Sequence, residues 1–111
     1  IINIGSITGI TPEKGTIAYG SSKAAFMFAS RVMANELSRY NIRVNAIAPS
    51  ITNTKMLKKM DQKVLNRMKD ENFLKKICEP DEIAELIIYL SSEKSKFING
   101  QIIRLDGGTK F

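Results

Sequence analysis

A chain of 111 residues has room for one domain and a modest core, and its 43% hydrophobic and 25% charged content is that of a soluble globular protein with no run near the ~20 apolar residues that span a bilayer. No histidine and one cysteine, Cys78, leave no zinc or other metal site, no histidine-dependent triad and no internal disulfide, and the lone thiol suits a reducing, cytoplasmic location. The net charge of +6 invites a nucleic-acid reading, but no aromatic pattern suited to base stacking accompanies the basic residues, so no nucleic-acid or membrane partner is expected.

The chain opens on Ile1-Ile2-Asn3-Ile4-Gly5, a short buried strand that ends at Gly5-Ser6. It has no initiator methionine, basic start or small-residue cleavage site, which is expected of a piece cut from a longer protein. Ser6 to Gly15 has the composition of a loop. Thr16 to Tyr40 is helical in pattern, with one apolar stripe at Ala25, Phe28, Ala29 and Val32 and a second at Phe26, Met33 and Leu37. So wide an apolar arc is covered on more than one side, by a sheet and by a neighbouring helix or second subunit. Asn41 stops this helix. Ile42 to Ala48 reads as a strand, ended by Pro49, and strand–helix–strand in this order predicts a crossover unit and a parallel sheet. Asn45, polar inside an apolar strand, is expected to satisfy a core hydrogen bond.

Pro49 to Thr54 is a loop, and Lys55 to Lys76 reads as one or two amphipathic helices with Met56, Leu57, Met60, Val64, Leu65 and Met68 on the apolar side. This segment carries most of the positive charge; a solvated helix face is the ordinary reading and an acidic docking partner the alternative. Pro80-Asp81-Glu82 opens a further helix in the manner of a first turn, with Ile83, Leu86, Ile87 and Leu90 as its buried face. Asn99-Gly100 turns into a last strand, Gln101 to Leu105, and Asp106-Gly107-Gly108 is a turn after it.

The residues with chemical potential lie near the start. Tyr19 and Lys23 are four apart, so on a helix they share one side. Ser6 lies thirteen positions before the tyrosine, at the end of the first apolar run. A lysine beside a phenol favours the phenolate by charge. A tyrosine tuned in that way exchanges a proton with an alcohol or ketone near neutral pH.

Ser6, Tyr19-x-x-x-Lys23, Asn45-Ala46-Ile47-Ala48-Pro49, and Gly100-Gln101 with Asp106-Gly107-Gly108 occur in one order. Together they resemble the C-terminal half of a short-chain dehydrogenase/reductase, and most of all the 3-oxoacyl-acyl-carrier-protein reductases. The resemblance covers essentially the whole chain. It implies an α/β fold, the C-terminal portion of a Rossmann-like doubly wound parallel sheet, with residues 1–111 as the catalytic half and the N-terminal, cofactor-anchoring half absent. It implies an NADP- or NAD-dependent oxidoreductase acting on a carbonyl or alcohol substrate, an acyl carrier protein among its partners, and a homo-oligomer, dimer or tetramer.

Residue by residue, the resemblance gives Tyr19 the part of proton donor and acceptor. Lys23 would assist the phenol and hold the nicotinamide ribose, and Ser6 would hold the substrate oxygen. Pro49, Ile51 and Thr54 would lie along the cofactor, Ile51 through its backbone and Thr54 through its hydroxyl. Lys55 to Lys76 would fall where the family carries its substrate lid. Ser6 as a turn residue and Thr54 as a helix N-cap are the structural alternatives. The family often has glycine where Ser50 stands, so the loop path there is less fixed by resemblance. The rival reading is a non-catalytic binding or oligomerisation module that keeps the fold.

Overall fold

The computed structural model describes residues 1–109. Three short strands, β1 (Ile2–Ile4), β2 (Asn45–Pro49) and β3 (Ile102–Leu105), pair in parallel in the order β1-β2-β3. The register sets Asn3 beside Ala46 and Ile4 beside Ile47, and Ala46 beside Ile102. The central strand is buried at every position. Parallel strands need long crossovers, supplied here by α1 (Ile17–Leu37) and, after a basic segment containing α2 (Gln62–Asp70), by α3 (Pro80–Ser91).

Successive strand residues point to opposite faces. On one face Asn3 donates to Ser30 Oγ of α1 at 2.8 Å, and Met27 packs on Ala46, Ala48 and Ile102. Ile4 points the other way and shares a cleft with Ile83, Ala84 and Ile87 of α3. Helices therefore cover both faces, the doubly wound arrangement expected.

The strand expected from Ile42 begins instead at Asn45. Its neighbours reach only as far as Asn45 and Ala46, so residues 42–44 have no ladder partner. Polar side chains close that end. Asn45 Nδ2 donates to Ile98 O at 2.9 Å, and its Oδ1 accepts from Gln101 N at 3.0 Å, the satisfied core bonds anticipated for it. Asn99 Oδ1 accepts from Val44 N at 2.9 Å while its Nδ2 donates to Ala34 O of α1 at 3.2 Å. The Arg43 guanidinium donates to Leu90 O, Ser92 O and Ile98 O at 2.8, 3.3 and 3.0 Å, satisfying carbonyls that the end of α3 leaves open.

The long helix keeps its predicted extent: a 3-10 turn, Ser38–Tyr40, follows α1, and Asn41 adopts the left-handed conformation at φ 58° that ends it. Its buried line differs from both apolar stripes. Gly20, Met27, Ser30 and Ala34 face inward, whereas Phe28 is 66% and Val32 40% exposed. The sheet presents alanines, over which Met27 packs, and the loop after β1 lies close, so Gly20, Ser30 and Ala34 take the other inner positions while Phe28 and Val32 face out. The first stripe is exposed throughout, whereas in the second Phe26 is exposed and Met33 and Leu37 are half-buried. In α3 the expected face holds, with Leu90 buried and Ile83, Leu86 and Ile87 half-buried. A reciprocal capping box between Glu79 and Glu82 starts that helix, with Pro80 in the first turn.

The basic segment is less helical than its pattern. A 3-10 turn, Leu57–Lys59, precedes α2, whose N-cap Asp61 accepts from Lys63 N at 2.7 Å. Helix ends at Asp70 because the next residues pair elsewhere. Asn72 bridges to Thr109, and Phe73 N and Leu74 N donate to Gly108 O and Gly107 O, each at 3.2 Å. No helix among the described residues is long and apolar enough to cross a membrane.

Candidate active site

Side chains at the carboxyl ends of parallel strands converge where chain connections diverge, the position at which open α/β sheets bind ligands. Here Ser6, Ser50 and Asp106 follow the ends of β1, β2 and β3. Ser6 is buried and caps the 3-10 turn Ile7–Gly9, its Oγ accepting from Thr8 N at 3.2 Å. Because that bond uses a lone pair, the hydroxyl proton remains available to donate.

Two clefts meet at this edge. One, of about 530 Å³, lies between the loop after β1 and the end of α2. The other, of about 460 Å³, lies between the ends of β1 and β2 and the first turns of α3. Ser6, Tyr19 and Ser50 line both. Tyr19 is 52% exposed, and its hydroxyl makes no hydrogen bond among the described residues. Lys23 lines neither cleft. Its Nζ donates to Ile4 O at 3.3 Å and lies 5.8 Å from the centre of the Tyr19 ring. The helix thus holds phenol and ammonium on one side, and the strand end brings the serine hydroxyl to them.

Pro49 and Thr54 line the smaller cleft, whereas Ile51 lines the larger one. The Ile51 carbonyl accepts from Cys78 N at 3.2 Å, and Asn53 N donates to Cys78 O at 2.8 Å, so the loop after β2 is tied to the segment before α3. Thr54 caps no helix; its carbonyl accepts from Leu57 N at 3.0 Å. Ser50 needs no positive φ, so its side chain does not conflict with the loop path. In the sequence Ser50 stands out only as a departure from the family pattern, yet it belongs to both clefts. Thr8, Thr11, Thr52, Glu13, Glu71 and Asn72 were also missed as lining residues; no local motif marks them, because separate segments bring them together. Burial and the neighbouring Glu82 push the Cys78 thiol up from its usual range, which disfavours the thiolate. No group of three metal-ligating side chains occurs among the described residues.

The far wall of the larger cleft is held by the turn after β3. Gly107 and Gly108 have φ of +62° and +77°, and a Cβ on them would meet Asn72 Oδ1 at 2.8 Å and Phe73 Cδ2 at 2.6 Å. Asp106 fastens the turn: Arg104 Nε donates to its Oδ2 at 2.9 Å, Gly108 N to its Oδ1 at 3.1 Å and Thr109 N to Oδ2 at 3.3 Å. Burial alone would raise this carboxyl, but Arg104, Thr109 and the Gly108 amide outweigh it and hold it below the usual 3.8. The depressed folded-state value means that its stabilisation is full above the unfolded-state value and is lost as pH falls through the folded one. Urea midpoints of wild type therefore fall with pH below about 4 more steeply than those of Asp106→Asn. Equal slopes would remove Asp106 from the acid response.

The donor set suits the nicotinamide-ribose end of a dinucleotide: the smaller cleft carries the hydroxyls of Ser6, Tyr19, Ser50 and Thr54, and the ammonium of Lys23 stands by the Tyr19 ring. The parallel sheet with helices on both faces and the polar cluster at its strand ends define a Rossmann-like α/β class. A family profile described as enoyl-(acyl carrier protein) reductase matches residues 1–110. The chain belongs to the short-chain dehydrogenase/reductase family. It is 36% identical to a 3-oxoacyl-[acyl-carrier-protein] reductase of Thermotoga maritima over 97% of its length and 44% of the relative's. A 3-oxoacyl-[acyl-carrier protein] reductase of Brucella melitensis superposes with a TM-score of 0.94 at 29% identity, over 100% of this chain and 42% of that one. A 4-hydroxyisoleucine dehydrogenase solved with NADH gives 0.90 at 32% identity, over 97% and 45%. The chain thus spans less than half the length of these relatives.

Proposed function

We propose that this chain is the C-terminal, catalytic half of an NAD(P)-dependent oxidoreductase that reduces a ketone or oxidises a secondary alcohol. The observation that carries the reading is the joint lining of both clefts by Ser6 and Tyr19, with the Lys23 ammonium 5.8 Å from the phenol ring. When bound, the nicotinamide cofactor supplies the hydride. The substrate oxygen receives a hydrogen bond from Ser6 Oγ and a proton from the Tyr19 hydroxyl; in the reverse direction Tyr19 takes that proton. Lys23 spends one donor on Ile4 O and keeps others for the ribose. Pro49 and Thr54 flank the cofactor, and Ile51 lines the larger cleft.

A 3-oxoacyl thioester on an acyl carrier protein is the substrate favoured by the names of the relatives. The lysines around α2 suit an acidic carrier. The exposed outer face of α1, with Phe26, Phe28 and Val32, suits burial against a second subunit in a dimer or tetramer. The test is direct. The full-length protein, given NADPH or NADH and a panel of 3-oxoacyl esters, is expected to consume reduced nicotinamide, followed by its absorbance. A protein inert across ketones and alcohols, yet oligomeric, would favour the assembly-module reading.

A further inference from the structure

The larger cleft carries a charge opposite to that of the chain. Glu13 lines it from the loop after β1 and Glu71 from the end of α2. No lysine or arginine lines it among the described residues; Lys14, next to Glu13 in sequence, does not. Neither glutamate side chain forms a hydrogen bond or ion pair among the described residues, so both charges act on whatever enters. The remaining polar lining consists of hydroxyls, among them Ser6, Thr8 and Thr11, with the Asn72 amide, and the Asn72 amide is already engaged with Lys76 N and O. The positive surplus lies on the outer side of α2, where Lys58, Lys69, Lys75 and Lys76 line a separate groove.

We infer that Glu13 and Glu71 are specificity-determining residues that make this cleft select carbonyl substrates without negative charge near the reacting carbon. Neutral esters, thioesters and amine-bearing ketones are accepted, and 3-oxo carboxylates are turned away. This rests on the larger cleft being the substrate side of the site proposed above. Its physical basis is short: two unit negative charges in the lining raise the energy of a third, and the nearby ammonium, Lys23, lines neither cleft and already donates to Ile4 O. A neutral acyl group suffers no such penalty, while a cation gains. The outer lysines act oppositely and at a distance, attracting an acidic carrier without drawing a free acid into the cleft.

The experiment compares methyl 3-oxobutanoate with 3-oxobutanoate on the full-length protein. Wild type is expected to favour the ester. In the Glu13→Gln/Glu71→Gln variant the acid-to-ester ratio of kcat/KM is expected to rise about tenfold. Raising salt from about 0.05 to about 0.5 M narrows the wild-type ratio and leaves that of the variant in place, because screening acts only where the charges remain. A ratio unmoved by both substitutions, or a wild-type preference for the acid, overturns the inference. If neither compound turns over, the proposed function fails separately, and the inference is read from dissociation constants of the same pair by NMR titration. Acid binding as tight as ester binding then overturns it.

Discussion

Tyr19→Phe in the full-length protein lowers turnover by about 10²–10⁴-fold while leaving stability within about 0.5 kcal/mol of wild type. The two halves of that expectation have separate grounds. The Tyr19 ring is half exposed on α1 and its hydroxyl holds no hydrogen bond among the described residues, so deleting the oxygen breaks nothing structural. Tyr19 also lines both clefts together with Ser6 and Ser50, where the proposed proton transfer takes place. Reduced-nicotinamide absorbance measures the first half and thermal unfolding the second. A Tyr19→Phe variant with wild-type kcat would take proton transfer away from this residue, and a large loss of stability would make the activity result uninformative about chemistry.

Gly9→Ala is expected to destabilise the protein by about 1–3 kcal/mol and to lower activity together with stability. A Cβ at Gly9 would sit 2.8 Å from Ala24 N and 2.9 Å from Lys23 C, both backbone atoms of α1, and 2.7 Å from Met27 Cε. The methionine tip can swing aside, but the helix backbone cannot. The loop after β1 must therefore lift, and it carries Ser6, while the helix it lifts from carries Tyr19 and Lys23. Thermal denaturation and kcat/KM measured on the same preparation test the coupling. Unchanged unfolding would mean that the loop moves freely and that its close seat on α1 does not set the spacing of the site.

The parts of this molecule that local periodicity controls were legible in the sequence. The α1 pattern, its Asn41 stop and the Pro80 start of α3 all follow from spacing and capping chemistry. The four-residue interval of Tyr19 and Lys23 follows from the helix repeat. What spacing could not give was set by partners distant in the chain. The inward line of α1 mixes Met27 with small and polar residues because β2 offers alanines for the methionine to cover and β1 offers Asn3 for Ser30, a choice invisible to hydrophobicity alone. The helical pattern of Lys55–Lys76 runs on past Asp70, but the tail at Gly107–Thr109 claims Asn72 to Leu74 for pairing. Ser50, Glu13 and Glu71 were unreadable for the same reason: each matters by sharing a cleft with segments far away in sequence.

Arg43 and Asp106 secure opposite ends of the sheet by unlike chemistry. The guanidinium that closes the end of α3 grips backbone carbonyls, which do not titrate, whereas the carboxylate that ties down the turn after β3 is neutralised by sufficient acid. Acid therefore weakens the turn that walls the larger cleft, while the hub around Leu90 and Ile98 contains no carboxylate to lose among the described residues.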